Sequence, residues 1–538
     1  MKLKKFVLIM FCAIALFSCD KQNENIVNVA DEDSQDMYVM SSIGDAIYLN
    51  PILASDSASS SVNAYIYNGL LKYDKNLNLI CDLAESYNVS ENGLEIKFKL
   101  KKNILWHDGQ KFTVKDVKFT FDKLTDTNTR TPFSSDYLMV KEFKIIDDYS
   151  FSVTYEQPFA PILESWCIGI IPEHIYKNED INTSQYNRNP VGTGPYKFKK
   201  WVTDQKIVLE ANPDYYEGTP KIKACLFRVI PDQSVQFLEL RTETIDELSL
   251  TPDQWNAYDT FFKSYTKYRY PAFSFTFLGF NLEKEPYSDI KFRQAINFAI
   301  DKKDIITGVL SGMAKSAQGI FPPQSWAYKE IEPYEYNPQK ALELLNSIGF
   351  DKSSNGTLLY KGRNFEMTII TNQGNKTREL TAQIIQEQLK KIGLQVNIRI
   401  LEWSTFLNQY VNKKNFDALI LGWNTAIDPD QFSLWHSSQC QPGQYNFMSY
   451  KNKDVDKLLI KARTTFNKEK RKEYYYKIQD IMREDPPCIF LYYPENLVCV
   501  HKRFQNVELA PAGIGWNFYE WFVNDRDIKY KNAKILVQ

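Results

Sequence analysis

The chain has little of what most enzymatic chemistry draws on. Its 538 residues hold only four histidines, His107, His174, His436 and His501, all far apart, so no metal-ligating spacing is present. Eight cysteines include no C-x-x-C pair. The six that follow Cys19 permit disulfides in an exported protein, but spacing does not specify their pairing. There is no G-x-S-x-G elbow, H-E-x-x-H pair or P-loop. Some pair of carboxylates is inevitable among 66 acidic residues, so their number does not argue for a glycosidase. A net charge of −1 carries no electrostatic footprint for nucleic acid. After the first eighteen residues no apolar run is long enough to cross a membrane.

What is present begins with an address. Lys2, Lys4 and Lys5 precede an apolar run from Phe6 to Phe17, the order of a secretory signal over residues 1–18. Losing those three lysines takes the net charge from −1 to −4. The sequence Leu16-Phe17-Ser18-Cys19 resembles a bacterial lipobox, which implies acylation of Cys19 and a lipid anchor. Asp20 resembles the residue that holds such lipoproteins on the outer face of the cytoplasmic membrane, the periplasmic side in a double-membraned bacterium. Residues 19–36 are polar and acidic and read as a tether.

The mature length implies more than one core. An aromatic content of 14% suits a surface that contacts varied ligands, and equally suits large sheets. The central stretch is Phe416 to His436, FDALILGWNTAIDPDQFSLWH. Its apolar start predicts a strand buried on both faces, stopped before Pro429. Trp423, Thr425, Asp428, Trp435 and His436 follow it closely, where open α/β sheets place ligands; the tryptophan reads either as a ligand platform or as core.

Elsewhere the patterns alternate between strand and helix. Residues 38–71 read as a strand, a polar loop and a helix with a serine-rich cap. Leu94, Ile96, Phe98 and Leu100 alternate as a half-buried strand. Thr113 and Asp116 form a capping box for a helix with Val114, Val117, Phe121 and Leu124 on one face, and His107-Asp108-Gly109 reads as a turn. Further on come strands at 365–371 and 394–401, a helix at 377–392, and helices at 454–466 and 468–484.

Four blocks in order then resemble the family 5 extracellular solute-binding proteins, the peptide-binding group of ABC importers. They are LAESYNVSENGLEIKFKLKKNILWHDGQKFTVKDVKFTFDKL (83–124), NPVGTGPYKFKKW (189–201), FNLEKEPYSDIKFRQAINFAIDK (280–302) and LGWNTAIDPDQFSLWHSSQ (421–439). The resemblance implies an α/β, two-lobed, hinged periplasmic-binding-protein fold of type II with an extra subdomain in the first lobe. Lobe I would comprise residues 37–70, 190–283 and 500–538, the extra subdomain 71–189, and lobe II 284–499, with crossings near 280–286 and 491–500. It implies a monomeric, non-catalytic receptor without metal or cofactor, which captures oligopeptides and delivers them to permease subunits. A nickel chelate or a sugar in the same fold is the alternative, and an exported hydrolase the alternative outside it.

By the same resemblance Trp423, Asn424, Thr425 and Ala426 line one side of the ligand, with Asp56 and Ser57 across the cleft. Where well-known peptide binders of the family carry an aspartate for the peptide ammonium, this chain has Ala426. Either Asp428 substitutes from a shifted loop, or no free amine is fixed there, since a buried ammonium without a partner is costly.

Overall fold

The computed structural model describes residues 37–257 and 260–529. The signal, Cys19 and the tether lie outside the described residues, and among those described no helix is long and apolar enough to cross a membrane.

The described chain enters through strand β1 (Met37–Ser42) and helix α1 (Ser57–Ile66). Asp56 caps α1, accepting from the Ser59 amide at 2.9 Å. An inserted antiparallel sheet follows, formed by β2 (Ala84–Val89), β3 (Glu95–Leu100), β4 (Val140–Asp147) and β5 (Ser150–Tyr155) in the order β2-β3-β5-β4. The alternation in β3 decides its facing: Ile96, Phe98 and Leu100 are buried, whereas Lys97 and Lys99 are exposed. Helix α2 (Val114–Thr125) packs on this layer behind the Thr113–Asp116 capping box.

Strands β6 (Tyr196–Val202), β7 (Lys206–Ala211) and β8 (Ala224–Val229) complete the sheet begun by β1, which lies parallel to β8. The glycines ahead of β6 have a steric reason. A Cβ on Gly192 would lie 1.9 Å from the Ile66 carbonyl oxygen, and the Gly194 amide donates to that oxygen at 2.8 Å. His107 joins the same crossing, accepting from the Gly192 amide at 3.2 Å and bonded to the Gly194 oxygen at 3.0 Å. Burial pushes its pKa down to about 4. The turn residue is thus a neutral brace between the inserted layer and the first sheet.

The larger sheet contains β9 (Glu247–Ser249), β10 (Tyr265–Pro271), β11 (Ser274–Phe280), β12 (Ala314–Ser316), β13 (Glu366–Asn372), β14 (Gln395–Leu401), β15 (Ala418–Asn424) and β16 (Cys488–His501). Its order is β9-β16-β11-β15-β13-β14, with β10 and β12 also on β16. The apolar run of β15 is covered twice. Ile420 joins one core with Ile369 and Ile385, the latter from helix α3 (Lys376–Lys391). Leu419 and Leu421 join another with Leu459 and Ile478 from helices α4 (Lys453–Arg463) and α5 (Lys468–Glu484).

Strand β16 belongs to two bodies. Its start pairs with β11, and Ile489 and Leu491 enter the core of the larger sheet. Its end pairs with β10, and Leu497 and Cys499 join Val39 and Leu226 beside the first sheet. Beside it, β10 ends at Pro271 and β11 begins at Ser274, so two adjacent segments connect the lobes. Strand β11 is fully buried and paired with β15 along its length. All six cysteines after Cys19 are free thiols.

Candidate functional site

A cavity of about 790 Å³ lies where the lobes face each other. All of the ligand-contact residues expected from sequence line it: Asp56 and Ser57 at the entry of α1, and Trp423, Asn424, Thr425, Ala426 and Asp428 where β15 runs into its loop. The cavity is at the upper end of the ~300–1,000 Å³ usual for small-ligand pockets.

Trp423 turns out to be both core and wall. Its ring packs on Phe447 at 5.7 Å and edge-on against Tyr445 at 5.1 Å, while it stays partly exposed to the cavity. Tyr445 in turn faces Phe133 of the inserted subdomain at 6.1 Å. Asn424 and Ala426 are exposed there, and Ser57 stands exposed on the opposite wall. The Thr425 hydroxyl and amide both donate to the Phe273 carbonyl, tying this loop to the first crossing. Trp435 and His436 turn away. Trp435 is fully buried and donates to Gln431, and His436 stacks on Phe432.

Two expected contacts are not free acceptors. Asp428 is held by both terminal nitrogens of Arg471, each at 2.8 Å, in a buried bidentate pair. Asp56 accepts from the Ser59 amide and, at 2.6 Å, from its hydroxyl. Both line the cavity, yet the charge of one is neutralised and that of the other is engaged by a helix cap.

The backbone offers more than these side chains do. Strand β11 pairs with all of β15, but β13 pairs only with Ala418 and Leu419. From Leu421 to Asn424 one edge of β15 therefore has no strand partner among the described residues. Gly422 keeps this edge open to a cation: a Cβ there would stand 3.1 Å from Arg378 Nη2. Arg378 donates to Asn372 Oδ1 at 2.8 Å, and among the described residues no carboxylate pairs with it. Burial holds its guanidinium below its ordinary value.

Another part of the wall is acidic. Asp136 and Asp430 share Arg463, at 2.8 and 2.5 Å. Glu164 lines the cavity nearby, and among the described residues it has no cationic partner in contact. Burial first, then the charge of Asp428, pushes its pKa up to about 7. Four carboxylates thus stand against two arginines, an excess of negative charge.

An apolar wall, an unpaired strand edge, a lone cation and surplus carboxylate can bind a dipolar chain. The profile of the bacterial extracellular solute-binding proteins, family 5, matches residues 78–445. The chain belongs to this family. The oligopeptide-binding protein AppA of Bacillus subtilis is 34% identical over 501 residues, covering 90% of this chain and 91% of that protein. Its structure in complex with a nonapeptide superposes with a TM-score of 0.87 at 33% identity, covering 91% of this chain and 99% of that one. NikZ of Campylobacter jejuni, in complex with Ni(L-His), gives a TM-score of 0.82 at 30% identity over 92% and 100% of the respective chains. The family is one of solute-binding proteins, and the mixed α/β fold with sheets in two lobes is theirs.

Sequence reasoning did not single out Arg378, Glu164, Phe133 or Tyr445. An arginine at the first turn of a helix and a glutamate between a leucine and a serine are ordinary in isolation. Only convergence on one cavity distinguishes them.

Proposed function

We propose that this family 5 protein is the solute-binding component of an ABC importer, holding oligopeptides between two closing lobes and passing them unaltered to permease subunits. The observation that carries the reading is the unpaired backbone edge at 421–424, set between Arg378 and the acidic wall in a cavity of about 790 Å³. An extended peptide adds to such an edge through main-chain hydrogen bonds, and its side chains need only room. The nonapeptide bound by the Bacillus subtilis relative supports this ligand class. In this reading Trp423 and Asn424 touch the ligand, while Thr425, Asp428 and Asp56 hold the wall in place and Ala426 and Ser57 leave space. The protein acts as a non-catalytic monomer.

Closure follows from the two adjacent crossings. A ligand bridging both walls makes contacts absent in an open form and shifts the population towards the closed one. Acylated Cys19 anchors the receptor to the outer face of the cytoplasmic membrane and residues 20–36 give it reach.

The test is native mass spectrometry of the full chain purified without denaturation, followed by calorimetric titration with synthetic pentapeptides to nonapeptides. Saturable binding with peptide recovered intact is expected. Cleavage of the peptide, or no binding at any length, overturns the reading. Metabolic labelling with an alkynyl fatty acid tests the anchor: wild type takes up label, and Cys19→Ser does not.

A further inference from the structure

Behind the acidic wall the cavity does not end. A second chamber of about 420 Å³ lies between α1 and the inserted subdomain. It shares Ala54, Ser60, Phe133, Asp136, Glu164 and Ser165 with the main cavity, so the two adjoin along Glu164. Its volume far exceeds the ~30 Å³ share of one water, so it has room for a side chain or a chain end.

The chemistry of its walls is one-sided. Glu164 stands on the shared boundary without a cationic partner in contact among the described residues. The neighbouring acids each have an arginine in contact, Asp428 with Arg471, and Asp136 and Asp430 sharing Arg463. On the α1 side Asn63 lines the chamber. It is 5% exposed, and its amide oxygen has no hydrogen-bond partner. Its amide nitrogen reaches only the Tyr48 carbonyl, at 3.5 Å. The Asn63 amide oxygen is an unengaged acceptor and Glu164 a carboxylate without a counter-ion in contact, and a cationic N–H donor is the ligand chemistry that answers both.

We propose that this chamber is a subsite for a cationic nitrogen of the peptide, its terminal ammonium or a lysine or arginine side chain, with Glu164 as the counter-ion. It rests on the peptide reading above and adds where the positive charge goes in a chain with Ala426 in the clamp position and Asp428 already paired. Placed in the first lobe, the subsite engages the cation before the lobes close. Arg378 on the other lobe is then left for a carboxylate, which gives the bound peptide a direction.

The test uses the full chain and four pentapeptide probes in calorimetry: penta-alanine, its N-acetyl form, and N-acetyl-pentapeptides with a central lysine or a central norleucine. Wild type is expected to prefer a cation-bearing probe over its neutral counterpart by at least about tenfold. The penta-alanine pair reports a terminal ammonium, and the lysine–norleucine pair reports a side chain. Glu164→Gln, nearly the same shape, should reduce that preference to within about twofold. Ala64→Trp should do the same without touching Glu164, because Ala64 is an exposed α1 residue on the chamber wall. Persistence of the preference in both variants overturns the subsite while leaving the peptide receptor intact, as does wild-type binding without any preference. Wild-type failure to bind all four probes overturns both proposals.

Discussion

The pair between Asp136 and Arg463 is the contact on which closure depends most visibly. Asp136 belongs to the inserted subdomain and Arg463 ends α4, and the guanidinium also meets the Ser135 carbonyl at 3.2 Å, while the Ala160 amide donates to the Arg463 carbonyl at 2.6 Å. Asp136→Asn keeps the shape and removes the charge. Arg463 retains Asp430 on its own lobe at 2.5 Å, so it is not stranded, and the larger cost of a broken buried pair does not apply. What is lost is one charge-assisted hydrogen bond formed only when the lobes meet, about 1.5–3 kcal/mol. At ~1.4 kcal/mol per tenfold this corresponds to roughly a 10- to 100-fold weaker Kd, expressed in the off-rate because the open form that meets the ligand is unchanged. Stopped-flow tryptophan fluorescence with a peptide found bound in wild type measures both rates, and small-angle scattering reports closure. An off-rate within about twofold of wild type, with the fold intact by circular dichroism, refutes the idea that this pair latches the closed form.

Other expectations concern the wall, the brace and pH. Trp423→Ala, which opens the aromatic wall between Phe447 and Tyr445, should weaken peptide binding by at least about tenfold with an unchanged circular-dichroism spectrum; undiminished affinity places the ligand elsewhere. Gly192→Ala should destabilise by several kcal/mol, ~3 or more, because its Cβ would meet backbone 1.9 Å away, and urea unfolding measures the loss. His107, with a folded pKa of about 4 below its ordinary 6.5, contributes fully above pH 6.5. That contribution falls away as pH drops through 6.5 towards 4, up to about 3 kcal/mol. His107→Gln should therefore be less stable than wild type at pH 7.5 and show a flatter acid decline. Glu164 has the opposite sign: with a folded pKa near 7, its contribution to stability is present at low pH and lost as pH rises through 7. Cation-bearing peptides, which need it ionised, should bind about tenfold more tightly at pH 8 than at pH 5.5, a difference absent in Glu164→Gln.

The elements legible in the sequence were those whose cause is local. The Thr113–Asp116 box, the alternation of Ile96, Phe98 and Leu100, and the doubly buried run of β15 each carry their own signal, and each stands where it was expected. Crossing positions did not carry one. An apolar stretch such as β11 reads the same in either lobe, and only its pairing with β15 assigns it to its place in the larger sheet.

For the cavity the division is sharper. Order along the chain brought Trp423 to Ala426 to the end of a buried strand, because a strand and the loop after it are continuous and the apolar pattern marks where one stops. It was equally able to show that this loop lacks an aspartate at Ala426. Whether a carboxylate is available to a ligand is a different kind of fact. Asp428 and Glu164 are the same chemistry in sequence, yet Arg471 folds onto one, and the other faces open space between two cavities. Charge is a property of a residue, but its availability depends on partners far away in the chain, and folding alone decides which of them arrive.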